Sequence, residues 1–404
     1  MSVAHGVDIR SLFPTIADGK IAYLDSAATA QTPDPVIAAM TEYYTSYRAS
    51  IHRGVYDLAT RATDAYEAAR DTIAAFTGST AKETIFTRNA TEAINLVAYA
   101  WGGANLKRGD LVVVTEMEHH SNIVSWQLAC QRAGAELAYV RVTDSGHLDS
   151  DHLDELLARG PKAVGVVHAS NVLGTINPVA EIVRRARAAG AITLIDGSQA
   201  VPHLPVDVAA IDADFYAWTG HKLYGPTGIG VLHGKAEVLD AMPPFIGGGH
   251  MIAKVSEQTS TYAESPAKFE AGTGAIAEAI GLAAACDFVT MVGIDLLHEH
   301  DLEMSALLLE KLHAVEGVTV HGPVDPAERV ALASFEVAGV HPHDVAEILG
   351  SRGVCVRAGH HCAQPLMRRL GSPASSRAST ALHTTPDELD RLVAGIGDVQ
   401  RIFA

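Results

Sequence analysis

Asp196 and Lys222 are the residues whose types and setting point most directly to chemistry. Leu194-Ile195-Asp196-Gly197-Ser198-Gln199 reads as an apolar strand ending on a carboxylate. Trp218-Thr219-Gly220-His221-Lys222 reads as a polar loop delivering an amine one hairpin length later. A lysine that forms a Schiff base and an acid that keeps a pyridinium nitrogen protonated are what a pyridoxal 5'-phosphate (PLP) site requires. Glycines at 220, 225, 228 and 230 bracket Lys222, and Thr219 and His221 add phosphate donors beside it. Taken singly, the lysine could be a solvated surface cation and the acid a turn former.

Other residues could complete such a site. Thr91 opens a helix, where unpaired N–H groups and the dipole favour an anion, although every helix also needs a cap. The adjacent pair His119-His120 has no HExxH or cysteine pairing around it, and neighbouring side chains point in different directions, so no metal site is expected. Stacking of His119 on a flat heteroaromatic ring suits it better. Cys362 sits in Arg357-Ala358-Gly359-His360-His361-Cys362-Ala363-Gln364-Pro365, between glycine and proline, which predicts an accessible thiol on a loop and not the usual inert buried one. Arg377, just before a predicted strand, offers the planar fork that an amino-acid carboxylate needs.

The elements that must position these groups alternate along the chain. Apolar strands are predicted at 83–87, 111–114, 137–140, 163–167 and 192–195, separated by helical stretches at 124–133, 153–157 and 179–189. Continuous apolar strands between helices predict an α/β fold with a mostly parallel, seven-stranded-type sheet covered on both faces. Ligands of such sheets sit outside the carboxyl ends of the strands. Thr91, His119, Asn171 and Asp196 each follow a predicted strand, so they should converge on one rim. After Gly247-Gly248-Gly249 the character changes to a smaller α+β unit with strands at 318–320, 332–337 and 354–356. Its last helix opens on Thr385-Pro386-Asp387-Glu388, an N-cap, a proline at N1 and a capping box. The expected organisation is a segment 1–20 packing with the small domain, a large domain 21–298 and a small domain 299–404 carrying the Cys362 loop.

Composition narrows the classes. With 30 lysines and arginines against 47 acids the net charge is −17, which argues against a nucleic-acid partner. Four unpaired-looking cysteines and no basic-then-apolar leader fit a reducing, cytoplasmic setting. The most apolar window, 275–294, is broken by Glu278 and Asp287 and reads as a buried helix, with no membrane span expected.

Together these residues resemble the group II, Suf-type cysteine desulfurases within class V of the fold-type I PLP enzymes. The likeness covers nearly the whole chain. It is carried by Tyr23-Leu24-Asp25-Ser26-Ala27-Ala28, Glu118-His119-His120-Ser121-Asn122-Ile123-Val124, the Asp196 strand, Gly220 to Gly230, Lys268-Phe269-Glu270-Ala271-Gly272-Thr273 and Arg357 to Met367. The Gly-His-His-Cys-Ala-Gln-Pro stretch is its most specific part. The resemblance implies Lys222 as Schiff-base lysine, Asp196 at the pyridine nitrogen, His119 on the ring and Gln199 on the phenolic oxygen. Thr91, Thr219 and His221 would hold the phosphate, with Thr273 reaching in from the partner of a homodimer. Asn171 would lie beside cofactor and substrate, Arg377 would bind the substrate carboxylate, and Ala28 and His52 would line its pocket.

By the same resemblance, Lys222 removes the Cα proton of L-cysteine and Cys362 takes its sulfur as a persulfide, leaving alanine. The sulfur would pass to an acceptor of SufE or SufU type for iron–sulfur cluster assembly. His343, in His341-Pro342-His343-Asp344, could meet a zinc-bearing acceptor, or be simply a helix-start histidine. Ala90 stands where relatives often carry a polar phosphate contact, and Gly274 replaces a common proline. The alternative on the same scaffold is a selenocysteine lyase or cysteine sulfinate desulfinase, for which Cys362 is not strictly needed.

Overall fold

The computed structural model describes residues 8–404. Seven strands form the main sheet: β1 Thr84–Thr87, β2 Leu111–Thr115, β3 Glu136–Val140, β4 Ala163–Val167, β5 Ile192–Asp196, β6 Phe215–Thr219 and β7 Gly230–Gly234. Their order across the sheet is β1-β7-β6-β5-β4-β2-β3. Only β7 runs against its neighbours β1 and β6; all other pairings are parallel. β2, β4 and β6 are buried along their whole length, because helices cover both faces and leave no side for polar alternation. Two apolar clusters form the two sides of the sheet, one holding Val113, Ile195 and Trp218, the other Val112, Leu194 and Ala217. Successive residues of one strand point to opposite faces, which is why neighbours in sequence separate in this way.

One expectation is corrected here. Asp196 and Lys222 are not joined by a hairpin: β5 and β6 are parallel, in the register Leu194↔Phe215 and Asp196↔Ala217. A parallel neighbour requires a crossover, and residues 197–214, with the short helix Val208–Ile211, provide it. The register makes Asp196 and the end of β6 finish on the same edge of the sheet.

The second sheet has four antiparallel strands, β8 Val318–Val320, β9 Leu332–Val337, β10 Arg357–Gly359 and β11 Ser375–Ser379, in the order β8-β9-β11-β10. Its core joins Ala333 and Phe335 of β9 to Leu389, Leu392, Ile396 and Val399 of the last helix, Pro386–Phe403. The expected capping box of that helix is present, Thr385 and Glu388 each bonding the other's backbone. Arg377 lies in the middle of β11 and not before a strand. Its neighbours are serines and an alanine, buried without an apolar signature. The expected strand 354–356 divides: Val354–Cys355 pairs in parallel with Ala22–Tyr23, and β10 begins two residues later.

Residues 1–7 of the expected N-terminal segment lie outside the described residues; residues 8–20 touch both sheets' surroundings. The Phe13 ring packs on Tyr224, Phe288 and His383, and Arg10 bonds the His383 carbonyl and pairs with Glu388. Residues 298 and 299 lie inside one helix, Ile294–His313. Helix Ile276–Val292, covering the apolar window, is largely buried, and no single helix among the described residues is long and apolar enough to cross a membrane.

Candidate active site

Where β1, β2, β4, β5 and β6 end, a cavity of about 230 Å³ opens, lined by Ala28, Thr91, His119, Asn171, Asp196, Gln199, Thr219, His221, Lys222, Cys362 and Arg377. The predicted rim therefore forms, and β10 and β11 of the second sheet add to it. Among the sequence-predicted residues, His52 and Thr273 are not on this cavity. They line a second one of about 270 Å³ with Arg53, Tyr66, His250 and Glu270. There the His52 ring stacks on His250 at 4.7 Å, and its Nε2 meets Glu67 at 2.7 Å.

Two glycines bring the backbone close enough. A Cβ on Gly197 would lie 2.2 Å from the Tyr216 hydroxyl oxygen, and one on Gly230 would lie 2.4 Å from the Asn89 carbonyl carbon. The first lets the chain leave Asp196 sharply; the second lets β7 press on the start of helix Ala90–Leu96. That helix is capped by Asn89, whose side chain accepts from Glu92 N–H at 2.9 Å. Thr91 is thus not the cap, and its hydroxyl is not spent on one. His119 is a cap: Nδ1 accepts from Ser121 N–H at 3.1 Å and opens helix His120–Ala133. Accepting at Nδ1 puts the proton of a neutral ring on Nε2. Burial and then the Lys222 charge depress His119 to about 4, so the ring is neutral.

The loop before His119 is fixed by Glu118, which is fully buried and accepts from the Thr115 hydroxyl, Asn122 Nδ2 and Val167 N–H at 2.6, 2.8 and 2.9 Å. Lys222 closes a 3-10 turn, Gly220–Lys222, directly after β6. Burial lowers its amine to about 8; Asp196 works against that shift, and Arg377 and Arg357 add to it. His221 is lowered to about 4, again by burial and then by Lys222. Asp196 accepts from Ser198 N–H through Oδ1 at 3.0 Å.

Arg377 is buried, with Nη1 donating to the Asn171 carbonyl at 2.7 Å and Nη2 to Asp25 Oδ1 at 3.2 Å. Burial brings it down to about 10, still charged at neutral pH. Asn171 also donates Nδ2 to the His361 carbonyl at 2.7 Å, and the Cys362 carbonyl accepts from His120 N–H at 2.7 Å. These bonds hold His361 and Cys362 with φ of +49° and +57°, two successive non-glycine residues in the left-handed region. Such strain persists only where the surroundings over-determine it, and it concentrates at functional sites.

Five buried polar atoms on residues lining this cavity have no hydrogen-bond partner: Asn171 Oδ1, Gln199 Oε1, Thr219 Oγ1, His361 Nδ1 and Arg377 Nε. Buried polar atoms are nearly always paired, so the cavity is built around a polar ligand. An amine, a carboxylate at a strand end, a flat neutral imidazole, threonine hydroxyls and an unpaired guanidinium Nε fit PLP together with an amino acid.

Sequence reasoning missed lining residues. Arg357 was noted only as a neighbour of Cys362, yet it faces Arg377 across β10 and β11 and lines the cavity. Strand alternation at 357 and 377 was the available signal. Asp25 lies inside a quoted motif but was given no role; burial raises its carboxyl against the pull of Arg377 and Arg357. His361, buried and lowered to about 3 by burial and by Arg377, bonds Ser375 through Nε2.

A doubly wound α/β sheet with a lysine and an acid on its carboxyl edge defines the class. The chain belongs to the aminotransferase class-V family, whose model matches residues 22–392. It is 48% identical to a probable cysteine desulfurase of Streptomyces coelicolor, over 98% of this chain and 97% of that one. It is 46% identical to a cysteine desulfurase of Cronobacter sakazakii, over 98% of each. The apo structure of a cysteine desulfurase from Thermococcus onnurineus superposes with a TM-score of 0.93 at 38% identity, covering 98% of this chain and 97% of that one.

Proposed function

We propose that this chain is a PLP-dependent cysteine desulfurase of the group II, Suf type. It takes L-cysteine to L-alanine and carries the sulfur as a persulfide on Cys362. The observation that carries this reading is that Cys362 lines the same cavity as Lys222, Asp196 and Arg377. Lys222, Asp196 and Arg377 alone would serve many PLP reactions; the thiol selects sulfur.

Lys222 would hold PLP through Nζ, Asp196 its ring nitrogen, Gln199 its phenolic oxygen, and Thr91, Thr219 and His221 its phosphate, with His119 stacked on the ring. Bound there, PLP would supply the sink for the electron pair left when the substrate's Cα–H bond breaks. Arg377 would take the substrate carboxylate through Nε, which has no protein partner, while Asn171 and Asp25 hold the guanidinium in place. Lys222 Nζ, lowered to about 8 by burial and so partly neutral at physiological pH, would accept the Cα proton and return one to carbon. Cys362 Sγ would form an S–S bond to the substrate sulfur as the Cβ–S bond breaks. Ala28, with no side chain beyond Cβ, would leave room for the substrate.

Thr273 and His52 share a cavity separate from that of Lys222 within one chain. Their contributions would therefore come from a second copy, which supports a homodimer. An acceptor protein of SufE or SufU type would take the persulfide sulfur for iron–sulfur cluster assembly in the cytoplasm. His343, exposed in the first turn of helix Pro342–Ser351, is open to such a partner.

The test is purified protein on L-cysteine, with alanine and sulfur counted together, beside Cys362→Ala. Wild type should form both in equal amounts; the variant should keep the cofactor absorbance and lose sulfur transfer from cysteine. Unchanged turnover in the variant would remove Cys362 from the reaction and favour a lyase that cleaves without it.

A further inference from the structure

His120, His360 and Cys362 form a cluster that none of the roles above uses as a unit. One nitrogen of each imidazole and Cys362 Sγ all lie within 4.8 Å of one another, and the two ring centroids are 5.5 Å apart. His120 opens helix His120–Ala133, whereas His360 and Cys362 follow β10, so the three meet across the junction of the two sheets.

Backbone donors orient both rings. Gln364 N–H donates to His120 Nε2 at 3.1 Å, and Cys362 N–H donates to His360 Nδ1 at 3.2 Å. Each nitrogen accepts through its lone pair, so the accepting nitrogen of each ring is turned toward the Cys362 loop. Both bonds are at the long end of the ordinary range, so they are weak partners to exchange. His360 is exposed and Cys362 half-buried, so an ion has access.

Two imidazoles and a thiolate are the donors of Zn²⁺ and its softer relatives, and not of Mg²⁺ or Ca²⁺, which take oxygen. Three protein ligands also leave a fourth tetrahedral position for water or a thiol. Metal–ligand bonds of about 2.0–2.3 Å set the ligand atoms roughly 3.3–3.6 Å apart, so the cluster would have to close by about 1 Å.

We propose that His120, His360 and Cys362 form a binding site for a thiophilic divalent cation of the Zn²⁺ type, and that occupancy switches the Cys362 thiol off. Binding releases the thiol proton to solvent, engages the sulfur lone pair and involves no change of oxidation state. The blocked sulfur can neither attack substrate nor be alkylated. The switching half rests on Cys362 as the nucleophile; the binding half does not.

The test is a titration of the PLP-saturated, metal-stripped protein with Zn²⁺, and with Cd²⁺ for its sulfur-to-metal ultraviolet band. It is run without cysteine, which is itself a chelator. In parallel, iodoacetamide labelling of Cys362 is followed by mass spectrometry. The expected result is one ion per chain, a Cd–S band, and labelling slowed at least about tenfold and restored by EDTA. Cys362→Ser should lose the band. His120→Gln and His360→Asn, which keep an acceptor for the backbone N–H, should each weaken binding at least about tenfold with the PLP absorbance retained. No band at one equivalent, or a band that survives both histidine changes, would overturn the site. Turnover of cysteine by the metal-free protein is measured separately. Uptake of metal without turnover would leave the site standing and remove the proposed function; turnover without uptake would do the reverse.

Discussion

Lys222 gives the sharpest quantitative expectation, because its amine must be neutral to join an aldehyde. An ordinary lysine sits at 10.5, and burial brings this one to about 8. The difference, 10.5 − 8 or about 2.5 pH units, corresponds to about 3 kcal/mol against the charged form. At pH 7.5 roughly one amine in four would be neutral, against about one in a thousand for an unperturbed lysine. The cofactor-free protein should therefore load PLP at a rate that climbs about tenfold per pH unit below 8 and levels off above it. Rapid-mixing absorbance on protein stripped of PLP, from pH 6.5 to 10, reads this directly. Substitutions give the signs. Asp196→Asn removes the charge that raises the amine and should move the plateau to lower pH, while Arg357→Gln removes one that lowers it and should move the plateau up. Linkage gives a second reading. The folded value lies below the unfolded one, so the cofactor-free fold should gain stability as pH rises from 8 toward 10.5. A loading rate that keeps climbing through pH 9.5 would show Lys222 to be an ordinary lysine and refute the burial argument.

Arg377→Lys keeps a cation but loses the planar fork. With one charge-assisted hydrogen bond worth about 1.5–3 kcal/mol, kcat/KM for cysteine should fall roughly 10- to 150-fold, mainly through KM; an unchanged KM would mean the carboxylate binds elsewhere. Gly197→Ala should destabilise the fold by about 1–3 kcal/mol in urea unfolding. The Tyr216 ring it would strike is fully buried and tied to His168 Nδ1 at 2.9 Å, so it has nowhere to go. A midpoint within error of wild type would mean the crossover after Asp196 can relax. Thr273→Ala should weaken PLP retention in gel filtration only if a second copy supplies that residue, so mixing it with a Lys222→Ala chain tests both at once. Restored cofactor binding in half the sites would support the shared site, and none would sink it.

The apolar strands were legible because burial on both faces leaves a continuous run, as in Leu111–Thr115 and Ala163–Val167. The rim followed, since a strand's carboxyl end can be read once the strand can. What escaped was carried by groups without periodicity. β11 is Ser-Ser-Arg-Ala-Ser, buried by its neighbours' packing and not by its own hydrophobicity, so Arg377 was taken to precede a strand it occupies. Thr91 looked like a cap because a hydroxyl before a helix usually is one; only the geometry of Asn89 two residues earlier frees it. The hairpin expected between Asp196 and Lys222 failed because distance along the chain does not distinguish a turn from a crossover.

Asn171 shows why neither half of the site is complete alone. Its carbonyl accepts from Arg377 and its amide donates to the His361 carbonyl, so one residue after β4 anchors both the expected carboxylate-binding arginine and the strained Cys362 loop. Both partners belong to the second sheet and its loops, whereas Lys222 and Asp196 belong to the first. The carbon chemistry expected at Lys222 and the sulfur chemistry expected at Cys362 thus share an anchor, and Asn171 Oδ1, buried without a protein partner, remains available to a ligand lying between them.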